Sequence, residues 1–530
     1  MTDATRWGMV VDLNRCVGCQ TCTIACKHAN DTLPQVQWRR VLDVETGKFP
    51  DVERLFLVVG CQHCAEPPCV PVCPTGATFQ REDGLVAMSY DLCIGCGYCA
   101  VACPYQARTI VHDQRWYYGT RTVQEQQVAH PERLGVAQKC TFCVERIDAA
   151  ATSDLMPGED FEATPACASS CIAKAIRFGD FSDAQSEVSQ LVENNASFQM
   201  HAELGTDPQI RYLYETPAIP GREADQRDDE TLDDPNNPLV GARQTFWDLR
   251  AAANFVLGGF GSGLAVMAWV VHALGPLPDW LLQRLFLIAA ISMSLGLGAV
   301  FLEIGRKARF LLALRRPQSS WMTREVYAAA VFFPAMFLDL LSPHAYLHSL
   351  VALTALAFLY CQARILHAGR GIPAWRVPLI PWMLIATGLL EGTALLAVLT
   401  LFWETMLAGA TLAVFGMVLT ALNAVLWYQY RRSAAQQGIG PLARMELRRV
   451  TSWLYMIGHG GPVMCFCLAL VSGVNAGAWF ALGGIGALAG GAMWKITVIT
   501  RASHQQGFRL DRLPRRGSGT FAVNPALAEI

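Results

Sequence analysis

The sequence predicts a cysteine-rich α+β domain followed by an all-α bundle of eight helices of membrane-spanning length. Two observations carry this. Sixteen of the nineteen cysteines lie between Cys16 and Cys171. From Phe246 onward, polar sequence gives way to apolar stretches, several reaching the ~20 residues that cross a bilayer. At 530 residues the chain exceeds ordinary single-domain size, and 52% hydrophobic residues with a mean hydropathy of +0.26 are too apolar for a soluble enzyme. The net charge of -2 gives no sign of a nucleic-acid partner.

The cysteines form four groups. Group one is Cys16-x2-Cys19-x2-Cys22-x3-Cys26, and group two is Cys61-x2-Cys64-x4-Cys69-x3-Cys73-Pro74, with Pro67 and Pro68 in its loop. Group three is Cys93-x2-Cys96-x2-Cys99-x3-Cys103-Pro104, introduced by an expected strand pair around Gly84 to Tyr90. Group four is split, Cys140 and Cys143 in Gln138-Lys139-Cys140-Thr-Phe-Cys143 being followed by Cys167 and Cys171 after an insertion. In such a spacing three thiolates grip one [4Fe-4S] cube and the fourth, carried away before the proline, ligates a neighbour. Sixteen cysteines at four per cube predict four [4Fe-4S] clusters. Zinc ribbons lack the repeated three-plus-one spacing, and a disulfide framework is disfavoured by a start expected in the cytoplasm.

This layout resembles the four-cluster ferredoxin subunits of the dimethyl sulfoxide reductase (molybdopterin oxidoreductase) family, over about Trp7 to Asp180. The resemblance implies a double-ferredoxin-like domain in which groups one and four exchange ligands, as do groups two and three. The implied sets are Cys16, Cys19, Cys22 and Cys171; Cys140, Cys143, Cys167 and Cys26; Cys61, Cys64, Cys69 and Cys103; and Cys93, Cys96, Cys99 and Cys73. Some relatives hold a three-iron cluster where tryptophan replaces a cysteine, but here every position is cysteine. The resemblance also places the groups-one-and-four pair toward a catalytic partner and the Cys93 set at the membrane end.

The domains expected are 1–200, the iron–sulfur domain; 201–245, a polar and acidic linker; 246–500, the membrane domain; and 501–530, a basic tail. Arg211 to Pro220 reads as an extended strand along the first domain, and Asp225 to Pro238 as a solvated linker. The eight apolar stretches are Ala251 to His272, Leu285 to Ile304, Val326 to Leu341, Leu347 to Leu366, Val377 to Phe402, Met406 to Tyr428, Leu454 to Val471 and Ala478 to Ile499. Arginines crowd alternate loops: Arg306, Arg309, Arg315, Arg316 and Arg324 in the second, Arg370 and Arg376 in the fourth, Arg431, Arg432, Arg444, Arg448 and Arg449 in the sixth, and Arg501 onward in the tail. By the positive-inside rule both termini and the iron–sulfur domain are cytoplasmic, on a multi-pass inner-membrane protein. The start lacks an apolar signal core and an early twin-arginine sequence, consistent with that expectation.

Glycine runs near Gly258–Gly263 and Gly483–Gly490 sit inside apolar spans and read as close helix packing rather than nucleotide binding. Intramembrane ionisable residues mark function more strongly. Glu303, in Phe301-Leu-Glu303-Ile-Gly305-Arg306-Lys307-Ala-Arg309-Phe310, precedes Ser319-Ser-Trp321-Met-Thr-Arg324-Glu325. This combination resembles the NrfD/DmsC-type anchors that react with quinol, which commonly carry an acid or histidine at the Glu303 position. Glu303 is a candidate proton carrier for quinone, with Arg306 or Arg324 setting its charge; equally it could simply pair with a loop arginine. Glu391, Asp339, His348 and His459 are secondary candidates, and Cys361, Cys465 and Cys467 read as buried apolar residues. No haem is expected, because His272, His348, His367 and His459 are scattered in the sequence.

These readings combine into an electron-transfer and membrane-anchor subunit. It would join a separate molybdopterin- or tungstopterin-containing catalytic subunit to the membrane quinone pool, with no catalysis of its own toward that subunit's substrate. A cytoplasmic active site points to a dehydrogenase that reduces quinone, for a substrate such as sulfite or phenylacetyl-CoA. A quinol-fed terminal reductase and a redox-coupled ion-translocating module are the alternatives.

Overall fold

A computed structural model describes residues 5–48, 51–214, 233–275, 277–407, 409–472 and 475–508. The expected acidic run from Asp225 and the basic tail beyond Phe508 lie largely outside these residues.

The first domain is built on a four-stranded sheet. Trp7–Asp12 lies between Ile176–Asp180, antiparallel, and Ile210–Leu213, parallel, with Ser197–Phe198 at the edge. The sheet thus closes on residues 210–213, which carries the first domain past its expected end at 200 and into the expected linker. The strand is a continuous apolar run rather than an alternating one: Met9, Val10 and Val11 are all buried because the sheet is covered on both faces. Two ten-residue strands, Arg39–Lys48 and Asp51–Gly60, pair antiparallel. The strand pair expected near Gly84 is present as Thr78–Gln80 against Val86–Met88. Its turn uses Gly84 at φ +82, a left-handed conformation open to glycine.

Among the described residues eight long helices follow: α1 (Leu249–Leu274), α2 (Asp279–Glu303), α3 (Trp321–Leu341), α4 (Ala345–His367), α5 (Ile380–Trp403), α6 (Ala410–Ser433), α7 (Pro441–Val471) and α8 (Ala476–Arg501). Seven are long and apolar enough to cross a membrane. The exception is α3, whose 21 residues include Arg324, Glu325 and Asp339. Helices α1–α4 pack among themselves, as do α5–α8, and the two groups join where α1 lies on α5. There Gly263 approaches Gly388 and Gly392 so closely that a Cβ would meet backbone, so the glycine runs do serve close packing.

Several boundaries differ from those read in the sequence. Helix α3 begins at Trp321 rather than Val326, which puts Arg324 and Glu325 on a helix instead of in a loop. Helix α7 begins at Pro441, so Arg444, Arg448 and Arg449 are helical too; a π-helical segment at Leu454–Gly460 joins its two parts. Polar flanks hid both starts, because hydropathy sees only the apolar portion of a helix that rises out of the bilayer. Cys361 and Cys465 are buried, but Cys467 is exposed on the bundle surface, since apolar residues there need no covering by protein.

The two domains share one hydrophobic core, which includes Cys73, Tyr98 and Cys99 from the first and Trp247, Phe255, Leu366 and Trp375 from the second. Polar contacts reinforce it: Tyr98 Oη donates to Ile365 O at 3.0 Å, Ser320 Oγ to Val72 O at 2.9 Å, and Arg309 Nη1 to Tyr90 O at 2.7 Å. The chain after α8 returns to the same junction. Phe508 N donates to Leu239 O at 2.9 Å, and the His201 ring nitrogen Nε2 lies 2.7 Å from Gly507 O.

Candidate functional site

The cysteine loops share one backbone device. In each opening Cys-x2-Cys, the residue before the second cysteine has positive φ: Gly18 at +70, His63 at +42, Gly95 at +71 and Phe142 at +56. Glycine adopts this at little cost, whereas a side chain there costs about 1–2 kcal/mol. His63 and Phe142 are held by each other, their rings stacked with centroids 3.8 Å apart. Val86 N–H donates to His63 Nδ1 at 3.2 Å, which leaves Nε2 to carry the proton and donate to Cys140 O at 3.1 Å. Burial, then the Lys139 charge, holds this imidazole well below its usual pKa and therefore neutral.

The thiols gather across the sequence. Cys22 feels Cys167, Cys16 and Cys171; Cys26 feels Cys140, Cys167 and Cys143; Cys64 feels Cys61, Cys69 and Cys103; and Cys96 feels Cys99, Cys73 and Cys93. Cys19 is the exposed member, 3.3 Å from Thr21 Oγ1. Burial pushes Cys22 and Cys140 up to about 11 and Cys99 and Cys103 up to about 12. Without a cationic ligand these are neutral thiols; iron would hold them as thiolates.

The surroundings fit an anionic iron–sulfur group. Cys61, Cys64, Cys69 and Cys103 line one cavity together with Arg108. Arg39 is buried beside Cys167, Cys140 and Cys22. Its Nε and Nη1 lack hydrogen-bond partners among the described residues. Burial opposes its charge, yet those neighbours hold its pKa above the usual value. Arg108, also buried, places Nη2 3.1 Å from Cys69 Sγ and Nη1 3.1 Å from Thr78 Oγ1. Lys139 Nζ donates to Cys140 O at 2.7 Å and to Val86 O. Sequence reading missed Arg39 and Arg108, because a lone arginine tens of residues from a cysteine carries no local signal.

At the junction, Cys96 lines a narrow cavity with Trp247, Asn254, Phe255, Glu303, Met322 and Glu325 among its walls. Glu303 also borders a wider cavity of about 530 Å³, whose other walls include His112, Arg250, Arg306, Lys307 and Arg309. Glu303 Oε1 accepts from Asp248 N–H at 3.1 Å, and Arg250 Nη1 donates to Leu302 O at 3.0 Å.

Neither arginine expected to set the charge of Glu303 is free to do so. Arg306 donates through Nε to Leu134 O at 2.9 Å and through Nη2 to Pro131 O at 2.7 Å. Arg324 donates to Pro317 O and Gln318 O at 2.8 and 2.6 Å and lies over the Trp321 ring. Arg250, ion-paired with Asp248 at 2.9 Å, shares the wider cavity with Glu303.

Glu325, which the sequence reading passed over, is buried within reach of Gln362 and Asn254. Glu325 Oε1, Gln362 Oε1 and Asn254 Oδ1 have no hydrogen-bond partner among the described residues. Of these, Glu325 and Asn254 line the cavity beside Cys96, where their unsatisfied oxygens can receive donors from a ligand.

Glu391 lies elsewhere, fully buried between α5 and α8, where it pairs with Lys495 at 2.7 Å; Lys495 Nζ also donates to Phe255 O at 2.9 Å. His459 is held to Leu454 O at 2.8 Å in the π-helical segment. His272 and His348, scattered in sequence, are adjacent in space, with ring centroids 5.2 Å apart.

Fold and thiol groups together define a membrane-associated iron–sulfur electron-transfer protein. A family model described as "4Fe-4S dicluster domain" matches residues 52–118. The chain is 38% identical over 224 residues to a selenate reductase subunit of Mesobacillus selenatarsenatis, covering 39% of this chain and 72% of that protein. It is 38% identical over 225 residues to a sulfite dehydrogenase subunit of Allochromatium vinosum, covering 39% and 83%. It is 37% identical over 226 residues to the menaquinone reductase iron–sulfur cluster-binding subunit of Nitratidesulfovibrio vulgaris, covering 39% and 88%. Through its N-terminal part the chain belongs to the [4Fe-4S] electron-transfer subunits of the dimethyl sulfoxide reductase (molybdopterin oxidoreductase) family, here continued by a polytopic membrane domain.

Proposed function

We propose that this chain relays electrons between a cytoplasmic molybdenum- or tungsten-pterin catalytic subunit and the membrane quinone pool. The ligand sets for four [4Fe-4S] clusters are Cys16, Cys19, Cys22 and Cys171; Cys26, Cys140, Cys143 and Cys167; Cys61, Cys64, Cys69 and Cys103; and Cys73, Cys93, Cys96 and Cys99. Such clusters supply one-electron transfer, at potentials tuned by charge and hydrogen bonding. Arg39 and Arg108 favour the reduced, more negative state by neutralising it from within the core.

The observation that carries the quinone reading is the cavity whose walls include both a thiol of the last set, Cys96, and two carboxyls, Glu303 and Glu325. Quinone reduction takes two electrons and two protons, so the site must place titratable groups beside an electron donor. Asn254 orients the polar head, Trp247 and Phe255 cover its ring, and Glu325 holds a proton at the buried end. Glu303, bordering the wider cavity as well, passes protons between the head and the surface near Arg250 and His112. The same-side placement of the arginine loops and the first domain, with the positive-inside rule, supports a cytoplasmic iron–sulfur domain and both termini inside.

That orientation favours a dehydrogenase reducing quinone, of the sulfite or phenylacetyl-CoA class. Relatives named for selenate and tetrathionate reductases favour a second reading, a terminal reductase fed by quinol.

The test is electron paramagnetic resonance of the purified, cluster-loaded chain mixed with menaquinol or ubiquinol. Glu325→Gln is expected to slow cluster reduction at least about tenfold and Glu303→Gln to slow it while steepening its dependence on pH. Unchanged rates in both variants would overturn the site. Labelling of cluster-loaded, Cys467-free chains with one cysteine added at the exposed position 242 or 344, in sealed vesicles of known orientation, decides the sidedness.

A further inference from the structure

The end of the bundle away from the iron–sulfur domain holds a second cluster of ligand-type side chains, separate from the quinone reading. His272 stands in the last turn of α1, Asp279 in the first of α2, Asp339 near the end of α3 and His348 in the first turn of α4. The rise along α1 puts this group about 36 Å from Asp248.

One ligand atom from each of His272, Asp279 and His348 lies within 4.8 Å of the other two. His348 Nε2 is 3.2 Å from Asp339 Oδ1, and His272 Nε2 is 3.8 Å from Asp279 Oδ1. His272 Nδ1 lies 2.8 Å from Leu277 O and must be its protonated nitrogen, since a carbonyl only accepts. In the neutral ring Nε2 is then left as a lone pair toward Asp279. A ring nitrogen bonded to a backbone carbonyl while the other serves as ligand is the usual arrangement of metal-bound histidine.

The buried half of the cluster is incomplete as protein. Asp339 and His348 are nine-tenths or more buried. Both Asp339 carboxylate oxygens and His348 Nε2 lack a hydrogen-bond partner among the described residues. Two of these atoms, Asp339 Oδ1 and His348 Nε2, face each other at 3.2 Å without a well-formed hydrogen bond, and burying such groups in an apolar setting is costly. A His348–Asp339 ion pair would answer for that pair but not for the lone pair of His272 beside it.

We infer that His272, His348, Asp279 and Asp339 bind a divalent transition-metal cation of the zinc type. Two imidazole nitrogens with carboxylate oxygens suit zinc and its borderline neighbours, and four candidate donors can complete a tetrahedral shell. Because the donors come from α1, α2, α3 and α4, the ion ties two helical hairpins together at the membrane face farthest from the first domain.

The experiment uses the full chain with its clusters loaded, in lipid nanodiscs, stripped with a membrane-impermeant chelator and then titrated with zinc alone. Zinc content is read by mass spectrometry after desalting, and its ligand type by X-ray absorption. One zinc per chain with nitrogen and oxygen ligands and no sulfur is expected, distinguishing this site from the cysteines. His272→Gln and His348→Gln should each lose at least about tenfold in affinity. Asp279→Asn changes an exposed group and should weaken binding while leaving cluster absorbance intact, which guards against misfolding of the buried variants. Zinc absent from the wild type, bound through sulfur, or held equally by Asp279→Asn and both histidine variants overturns the proposal.

Discussion

Trp247 Nε1 donates to Cys96 O at 3.0 Å, so the residue that leads into the first membrane helix is hydrogen-bonded to the backbone of a thiol group in the iron–sulfur domain. The indole also stacks on Trp375, with centroids 5.4 Å apart. The two domains therefore meet at a cysteine loop.

Trp247→Phe keeps the ring and removes the donor. A hydrogen bond of about 1 kcal/mol corresponds to roughly 40 mV for a one-electron couple, so a shift no larger than that is expected in one cluster alone. Potentiometric titration followed by electron paramagnetic resonance checks it. A shift shared by all clusters would contradict the placement of Cys96 at the membrane end.

Arg108 supplies a buried positive charge 3.1 Å from Cys69 Sγ. Removing it in Arg108→Gln destabilises the reduced form, so the potential of the adjoining cluster should fall, on the order of 100 mV for a charge several Å away in a partly screened interior. The same titration reads it, and a rise in potential would contradict the assignment.

The Glu391–Lys495 pair should behave as a buried ion pair. Glu391→Gln or Lys495→Met alone leaves one charge unmatched and should cost about 3–5 kcal/mol, whereas the double substitution should recover much of that loss. Thermal unfolding in detergent, analysed as a double-mutant cycle, measures the coupling. Additive losses would show that the two side chains do not depend on each other.

Iron removal should loosen first the part of the first domain whose separate core is built from Cys16, Cys22, Cys26, Cys61, Cys64, Cys103, Cys140 and Cys167, because these side chains would hold the clusters. Loading should also release protons, since burial pushes Cys22, Cys140, Cys99 and Cys103 to about 11–12 and each must deprotonate to bind iron. Cluster loading therefore weakens as pH falls. Chelation followed by circular dichroism, with the helical signal of α1–α8 retained, and proton release on reconstitution are the two readouts.

Local spacing in the sequence determined the class of cofactor, because three thiolates on one cube must be near neighbours along the chain, and hydropathy located the apolar core of each membrane helix while missing the polar first part of α7, which begins at Pro441 rather than Leu454. The arginine-rich loops were legible as a pattern, but the structure shows a further use: Arg306 and Arg309 bind carbonyls of the first domain. Tertiary structure alone decided the junction. Trp247, Asn254, Glu325 and Gln362 come from three helices and a connecting segment, and Cys96 from a loop more than 100 residues earlier; no sequence window contains them together. Glu325 was hidden because its helix begins five residues before its apolar stretch, and Lys495 because a single lysine in an apolar span acquires meaning only from Glu391 across the bundle. Ligand spacing is a local property of the chain, whereas burying a charge or shaping a cavity depends on which helices pack together.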